Sequence, residues 1–215
     1  MNTPDKVIQI AMNEVGYLEK SKSAYAADPN VIYEKTRGAG HDNITKYGYE
    51  MHNIYPGVMD FPAYWCDSFV DWCFYKAYGI ATAKSLLGGN FDDYTVASAN
   101  MYKKMNAWYS SPQVGDQVFF KNSTRICHTG IVYAVDGSRV YTIEGNTTSA
   151  KGVVANGGCV AKKSYALNYS GIAGYGRPKY DKAKKSLEEV ARDVIDGKYG
   201  VVPFRKKRIE AAGYN

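Results

Sequence analysis

The 215-residue chain has little of what marks a secreted scaffold or a membrane protein. Its four cysteines include no C-x-x-C pair and are too few for a disulfide framework, so free thiols in a reducing cytosol are expected. No apolar run exceeds five residues, which leaves no segment long enough to cross a bilayer as a helix. Residues 1–20 lack both a basic n-region and a long apolar stretch, so no signal peptide is read there. The expected location is the cytoplasm of the producing cell. Apolar residues make up 45% and charged residues 22%, values that exclude a disordered or collagen-like chain. The length suits one sizeable core with something small attached.

What the chain has in plenty is tyrosine, 20 residues of it. An apolar ring with a hydroxyl suits a wet groove that binds a polar polymer. The net charge of +6 is uneven: residues 1–176 carry 16 Lys/Arg against 15 Asp/Glu, and residues 177–215 carry 11 against 6. A near-neutral body with a basic tail points to an anionic polymer (nucleic acid, membrane surface or bacterial wall) or to a merely solvated tail. The tail has no aromatic interleaving and no helix-turn-helix, which weighs against nucleic acid.

In the first segment, Pro4 to about Lys20, the spacing of Val7, Ile8, Ala11, Met12 and Val15 predicts an amphipathic helix that Gly16 stops. Residues 21–62 read as loop with at most short helical turns. A helix follows through WCDSFVDWCFYKAY, closed by Gly79. After a mixed stretch comes another around Val96–Met105. From Pro112 the pattern turns to strands: VGDQVFF, HTGIVYAV and RVYTIEGN, then shorter ones near Val153–Val154, Cys159–Ala161 and Ile172–Gly174. Helices first and an antiparallel sheet second make the fold class α+β. Residues 177–185 read as a linker. In the tail, Ser186 with Glu189 is a capping box, Leu187, Val190, Ala191, Val194 and Ile195 form an apolar face, and a second short helix runs from Pro203 to Gly213.

Reactive groups concentrate in three places. Cys66 stands where a loop becomes a helix, where the dipole and unpaired N–H groups favour a thiolate. Cys73 shares its face but lies in the apolar stripe, as an inert core thiol. His128 opens one strand, and Glu144 and Asn146 close the next. A helix-start Cys, a strand His and a following carboxylate are the parts of a Cys–His–acid hydrolase. Tyr64 and Trp65 either stack on a substrate or pack the start of the helix. Cys127 is turned by alternation away from His128 and into the core. His41 and His52 are surface residues. A zinc site from Cys66, Cys127 and His128 has no recognisable ligand spacing. Asp60 and Asp67 are calcium-ligand types without an EF-hand pattern, so capping or solvation is the plainer reading and no cofactor is expected.

WCDSFVDWCF, GDQVFF, CHTGIVYAV and VYTIEGNT together resemble the CHAP family, the cysteine- and histidine-dependent amidohydrolases/peptidases. The resemblance covers roughly residues 1–178. It implies a papain-like (CHAP/NlpC-type) fold, with Cys66 as nucleophile, His128 as base, Glu144 as orienting acid and Asn146 as supporting polar group. It also implies cleavage of peptidoglycan amide bonds, as by phage lysins, with calcium in some members. Residues 186–215 resemble a cell-wall-binding repeat cut short of its third helix, behind a linker at 179–185. The expected partner is bacterial peptidoglycan, met after release from the cell by a monomer that needs neither nucleic acid nor membrane. The alternatives are a bacterial autolysin and a non-catalytic wall-binding protein on the same fold.

The triad also constrains the hairpin between the two strands. A two-residue turn at Asp136–Gly137 pairs Val135 with Ser138 and sends His128 and Glu144 to opposite faces. A three-residue loop of Asp136, Gly137 and Ser138, or a bulge elsewhere, sets Glu144 opposite Gly130 and diagonal to His128. The chemistry therefore predicts the three-residue loop or a compensating bulge.

Overall fold

Pro4 opens the first helix, α1 (Pro4–Glu14), where its missing N–H costs nothing. Val7 and Ala11 are buried from its inward stripe, and Gly16 at φ 88° turns the chain away. The computed structural model describes residues 2–181, 187–202 and 204–214. Five more helices follow before the sheet: α2 (Lys22–Ala27), α3 (Lys46–Ile54), α4 (Cys66–Tyr78), α5 (Ile80–Leu87) and α6 (Thr95–Lys104), with a 3₁₀ turn at Pro29–Tyr33. The central one is α4, buried along most of its length and closed by Gly79 at φ 75°.

Six strands form one antiparallel sheet in the order β1-β6-β2-β3-β4-β5: β1 (Trp108–Tyr109), β2 (Gln117–Lys121), β3 (Ile126–Val135), β4 (Arg139–Thr147), β5 (Cys159–Ala166) and β6 (Ile172–Gly176). The fold is α+β. Alternation divides the sheet residues between two cores. Phe119, Ile131, Ile143 and Val160 join the main core with α1 and α4. Val118, Phe120, Val132, Val140, Tyr165 and Tyr175 make a smaller cluster on the other face.

Several expectations need correction. Residues 21–62 include a nine-residue helix, α3, capped where Thr45 Oγ1 accepts from Gly48 N at 3.1 Å and anchored by buried Tyr47 and Met51. The mixed stretch after Gly79 holds α5, which buries Ala83, Leu86 and Leu87. Val153–Val154 is not a strand. The supposed linker begins too early: Arg177 Nε and Nη2 fork onto Asp116 at 2.9 Å each, and the Tyr180 hydroxyl donates to Gly115 O at 2.8 Å. The body therefore runs from Asn2 to Tyr180, and the remainder is a second unit. Residues 182–185 of the expected linker, Ser186 and Pro203 lie outside the described residues.

The second unit contains α7 (Leu187–Ile195) and α8 (Phe204–Ala211). Gly197 at φ 73° follows α7, and Lys198 Nζ donates to Asp193 at 2.6 Å. Of the apolar face expected on α7 only Val190 is buried; Leu187 and Ile195 are exposed, as are Val201, Val202 and Phe204. Among the described residues no helix is long and apolar enough to cross a membrane.

The β3–β4 hairpin is tighter than the three-residue loop predicted. Val135 pairs with Val140, and Asp136 N donates to Arg139 O at 3.0 Å, so Gly137 and Ser138 form a two-residue tip. Asp136 Oδ1 also accepts from Ser138 N and Arg139 N, at 2.7 and 2.8 Å. A bulge at Tyr133 then shifts the register: below it Val132 faces Thr142 and Ile131 faces Ile143. Carried along the strands, that pairing sets Glu144 opposite Gly130. A Cβ on Gly130 would lie 2.5 Å from Glu144 Cγ, so the glycine makes room for the carboxylate.

Arg177→Ala would leave the buried Asp116 carboxylate without its cation. A loss of about 1–3 kcal/mol is expected, seen as a Tm lower by several degrees in thermal denaturation.

Candidate active site

Cys66 is the first residue of α4. Its N-cap, Trp65, makes no side-chain cap, so the first-turn amides stay open toward the sulfur and toward whatever binds there. Strand β4 lies close against this turn because Gly145 has no side chain: a Cβ there would stand 2.6 Å from Phe69 Cβ and 2.9 Å from Trp65. Cys66 opens onto a groove of about 300 Å³ lined also by Tyr64, Tyr94, Arg125, Cys127 and Asn156.

The helix start does not make Cys66 a ready thiolate. Burial pushes its thiol well above the usual range, and the neighbouring Asp67 carboxylate pushes the same way. The backbone N–H groups of Thr129, Asp67 and Cys66 oppose the rise without cancelling it. The dipole argument was sound in direction, but desolvation is the larger effect.

His128 and Glu144 meet as the parity argument required. His128 Nε2 lies 2.9 Å from Glu144 Oε2, with both side chains fully buried. Glu144 accepts further hydrogen bonds from Thr142 at 2.5 Å and Tyr165 at 3.2 Å. The His128 ring packs against Phe120 at 5.7 Å, and Phe120 against Tyr165 at 4.8 Å. His128 Nδ1 is buried without a partner. The carboxylate thus holds one nitrogen and leaves the other free for a proton.

The structure does not bring Cys66 into hydrogen bond with His128. Alternation places the imidazole on the Phe120 face of β3, whereas α4 packs on the Phe119 and Ile131 face. What reaches the sulfur from β3 is the amide of Thr129, the next residue. Asn146, at φ 54°, is turned elsewhere: its side chain bonds Asn43 and the amide of Gly158, each at 3.3 Å.

The other expected site residues separate clearly. Trp65 is fully buried, donates to Glu19 at 2.8 Å and stacks on Tyr47, so it packs the helix start and does not face the groove. Tyr64 is 61% exposed at the groove wall. Cys127 is not in the core. It is the extra residue of a bulge, since Phe120 pairs with His128 and Lys121 with Ile126, and it lines the groove beside Cys66. Cys73 is buried in the main core as expected. His52 is half-buried, 2.7 Å from Met59 O. Asp67 is fully buried among Ser98 and Gln117, and the Asp60 amide donates to Asp93. Among the described residues no group of three or more His, Cys, Asp or Glu is arranged to hold a metal ion. Two partners were missed. Thr142 shares Glu144's face by alternation and was readable; Tyr165 comes from a separate strand and was not.

Residues 58–146 match the family model described as the CHAP domain. The matched stretch is less than half of the chain. It contains Cys66, His128, Glu144 and Asn146. Two solved structures are similar to the chain. One is described as Ly7917, with 15% identity and a TM-score of 0.45. The other, Ly7917 with the hydrolyzing product of MDP, has 16% identity and a TM-score of 0.44. Each alignment covers 82% of this chain and 62% of the other, so the chain spans under two thirds of their length. No curated protein matches it.

Burial raises the Asp67 carboxyl to about 7, against donors from Ser98 and Gln117 that lower it. A carboxyl raised in the folded state stabilises the fold at low pH and loses that contribution as pH climbs from the unfolded value, about 4, through 7. Asp67→Asn, which does not titrate, is expected to gain stability relative to the wild type across that window. Denaturant unfolding of both proteins at pH 4, 5.5 and 7 checks the sign.

Proposed function

We propose that the protein is a cysteine-dependent peptidoglycan hydrolase of the lysin kind, cleaving an amide bond in the wall peptide or at its junction with the glycan. The observation that carries this reading is the placement of Cys66. It begins a buried helix, opens onto a groove, and touches β3 at the residue beside a buried His–Glu pair, all within the CHAP match.

The mechanism follows from these positions. Cys66 attacks the amide carbonyl, and the open amides at the start of α4 receive the developing oxyanion. His128 takes the thiol proton on Nδ1 and returns it to the leaving amine, with Glu144 fixing the ring through Nε2. Water then releases the acyl group. This mechanism requires a rearrangement that brings sulfur and imidazole together when substrate binds. Their separation in the free protein favours one second reading, a wall-binding protein on a hydrolase fold. A turbidity assay on purified walls separates the two, and mass spectrometry of the fragments identifies the bond.

Cys66→Ala is expected to abolish lysis, whereas Cys73→Ala, in the core of the same helix, keeps most of it. Glu144→Gln should lower the rate by about 10²–10⁴-fold. Lysis surviving in Cys66→Ala would refute the assignment of the nucleophile.

We also propose that the basic second unit is a weak anchor to the anionic wall. A chain ending at Asp181 should hydrolyse soluble fragments at the full-length rate. Its retention on walls should be lower and less sensitive to salt. Sedimentation with walls at low and high salt measures this; loss of activity on soluble fragments would instead make the unit part of the catalytic fold.

A further inference from the structure

We propose that Asp67 is a positioning residue for this hydrolysis: hydrogen-bonded through Gln117 to Thr129, its carboxyl group holds the Cys66 end of α4 to the β3 residue adjoining His128. The proposal rests on the assignment of Cys66 as nucleophile.

Every link is buried. Asp67 Oδ1 accepts from Gln117 Nε2 at 2.9 Å, and the same nitrogen donates to Thr129 Oγ1 at 3.1 Å. The Thr129 hydroxyl itself donates to Val118 O at 2.7 Å, which ties β3 to β2. Ser98 of α6 donates to Asp67 Oδ2 at 2.6 Å. The network therefore links four elements, α4, α6, β2 and β3, at the residue that directly follows Cys66. Thr129 is also the residue whose amide approaches the Cys66 sulfur, so the network sets the distance and angle at which α4 meets the strand.

The groups around Asp67 supply no cation. They are Cys66 and Asp71 on α4, Asp92 and Asp93 before α6, Ser98 and Tyr102 on α6, Gln117 on β2 and Thr129 on β3. Among the described residues Asp67 makes no ion pair. A buried carboxyl without a counter-charge is a costly way to join helix to sheet, and apolar side chains of similar volume would join them at less cost. What hydrogen bonds add is direction, which a nucleophile needs: a misplacement of about 1 Å costs about 10²-fold in rate. The carboxylate also bears on the thiol, because its charge opposes ionisation of Cys66.

The test compares Asp67→Ala, Asp67→Asn and Gln117→Leu in the full chain. The readouts are kcat and KM on a soluble disaccharide-peptide fragment of peptidoglycan, and the pH dependence of Cys66 alkylation by iodoacetamide, followed by peptide mapping. Asp67→Ala and Gln117→Leu are expected to lower kcat about tenfold or more, with KM within about twofold. Asp67→Asn still accepts from Gln117, so it should restore most of that loss. It should also move the alkylation midpoint to lower pH, since the adjacent negative charge is gone. Unchanged kcat in Asp67→Ala and Gln117→Leu, with or without a lower Tm, would make Asp67 merely structural and overturn the proposal. So would an Asp67→Asn variant as slow as Asp67→Ala, or an unmoved alkylation midpoint. If the wild type cleaves no peptidoglycan fragment, the functional reading fails. The alkylation arm then decides alone: a shift in Asp67→Asn sustains the link to Cys66, and no shift ends it.

Discussion

Alternation along Ile126–Val135 governs which chemistry each face of the sheet can hold. The inward residues of β3, Thr129 and Ile131, meet the helices, and the outward ones, His128, Gly130 and Val132, meet β4 and β5 side chains. Two bulges edit that alternation. The one at Tyr133 sets the parity that lets Glu144 reach His128, with Gly130 giving up its side chain to make space. The one at Cys127 turns a residue that plain alternation would bury out into the groove. Remove either and the same sequence would present different groups to the same cleft.

Electrostatics at the site is a contest that burial wins. Cys66, Asp67 and Asp71 occupy the first turns of α4, where a helix dipole favours negative charge. All three are nevertheless pushed toward their neutral forms, because desolvation of a buried charge outweighs a partial charge at a helix end.

Much of this architecture was legible in the residues. α1, α4 and α6 announced themselves through apolar spacing and glycine stops, and the strands of the β2–β3–β4 meander through β-branched and aromatic runs. α3 was hidden because its two buried anchors, Tyr47 and Met51, sit among Gly, Asn and Glu, so tertiary contacts and the Thr45 cap carry it. α5 was hidden because Gly79 ends one helix and begins the next. Counting within the hairpin could state the condition under which Glu144 and His128 share a face, a longer loop or a bulge, but not which of the two the chain uses. What counting could not supply was contact between elements far apart in sequence: Tyr165 reaching Glu144, Trp65 committed to Glu19, or Gln117 bridging Asp67 to Thr129.

The two halves of the site are braced separately. His128 is held on the outward face by Glu144, with Thr142 and Tyr165 behind it. The Cys66 end of α4 is held on the helix face by Asp67, Gln117 and Ser98. The networks share no hydrogen bond, yet they end on consecutive residues of one strand, His128 and Thr129. Whatever turns the backbone between those two residues moves imidazole and sulfur relative to one another. The Cys127 bulge lies immediately before them and has no ladder partner to resist such a turn. In the proposed reaction the supports of the imidazole and of the Cys66 end of α4 thus meet at a single junction, the step from His128 to Thr129.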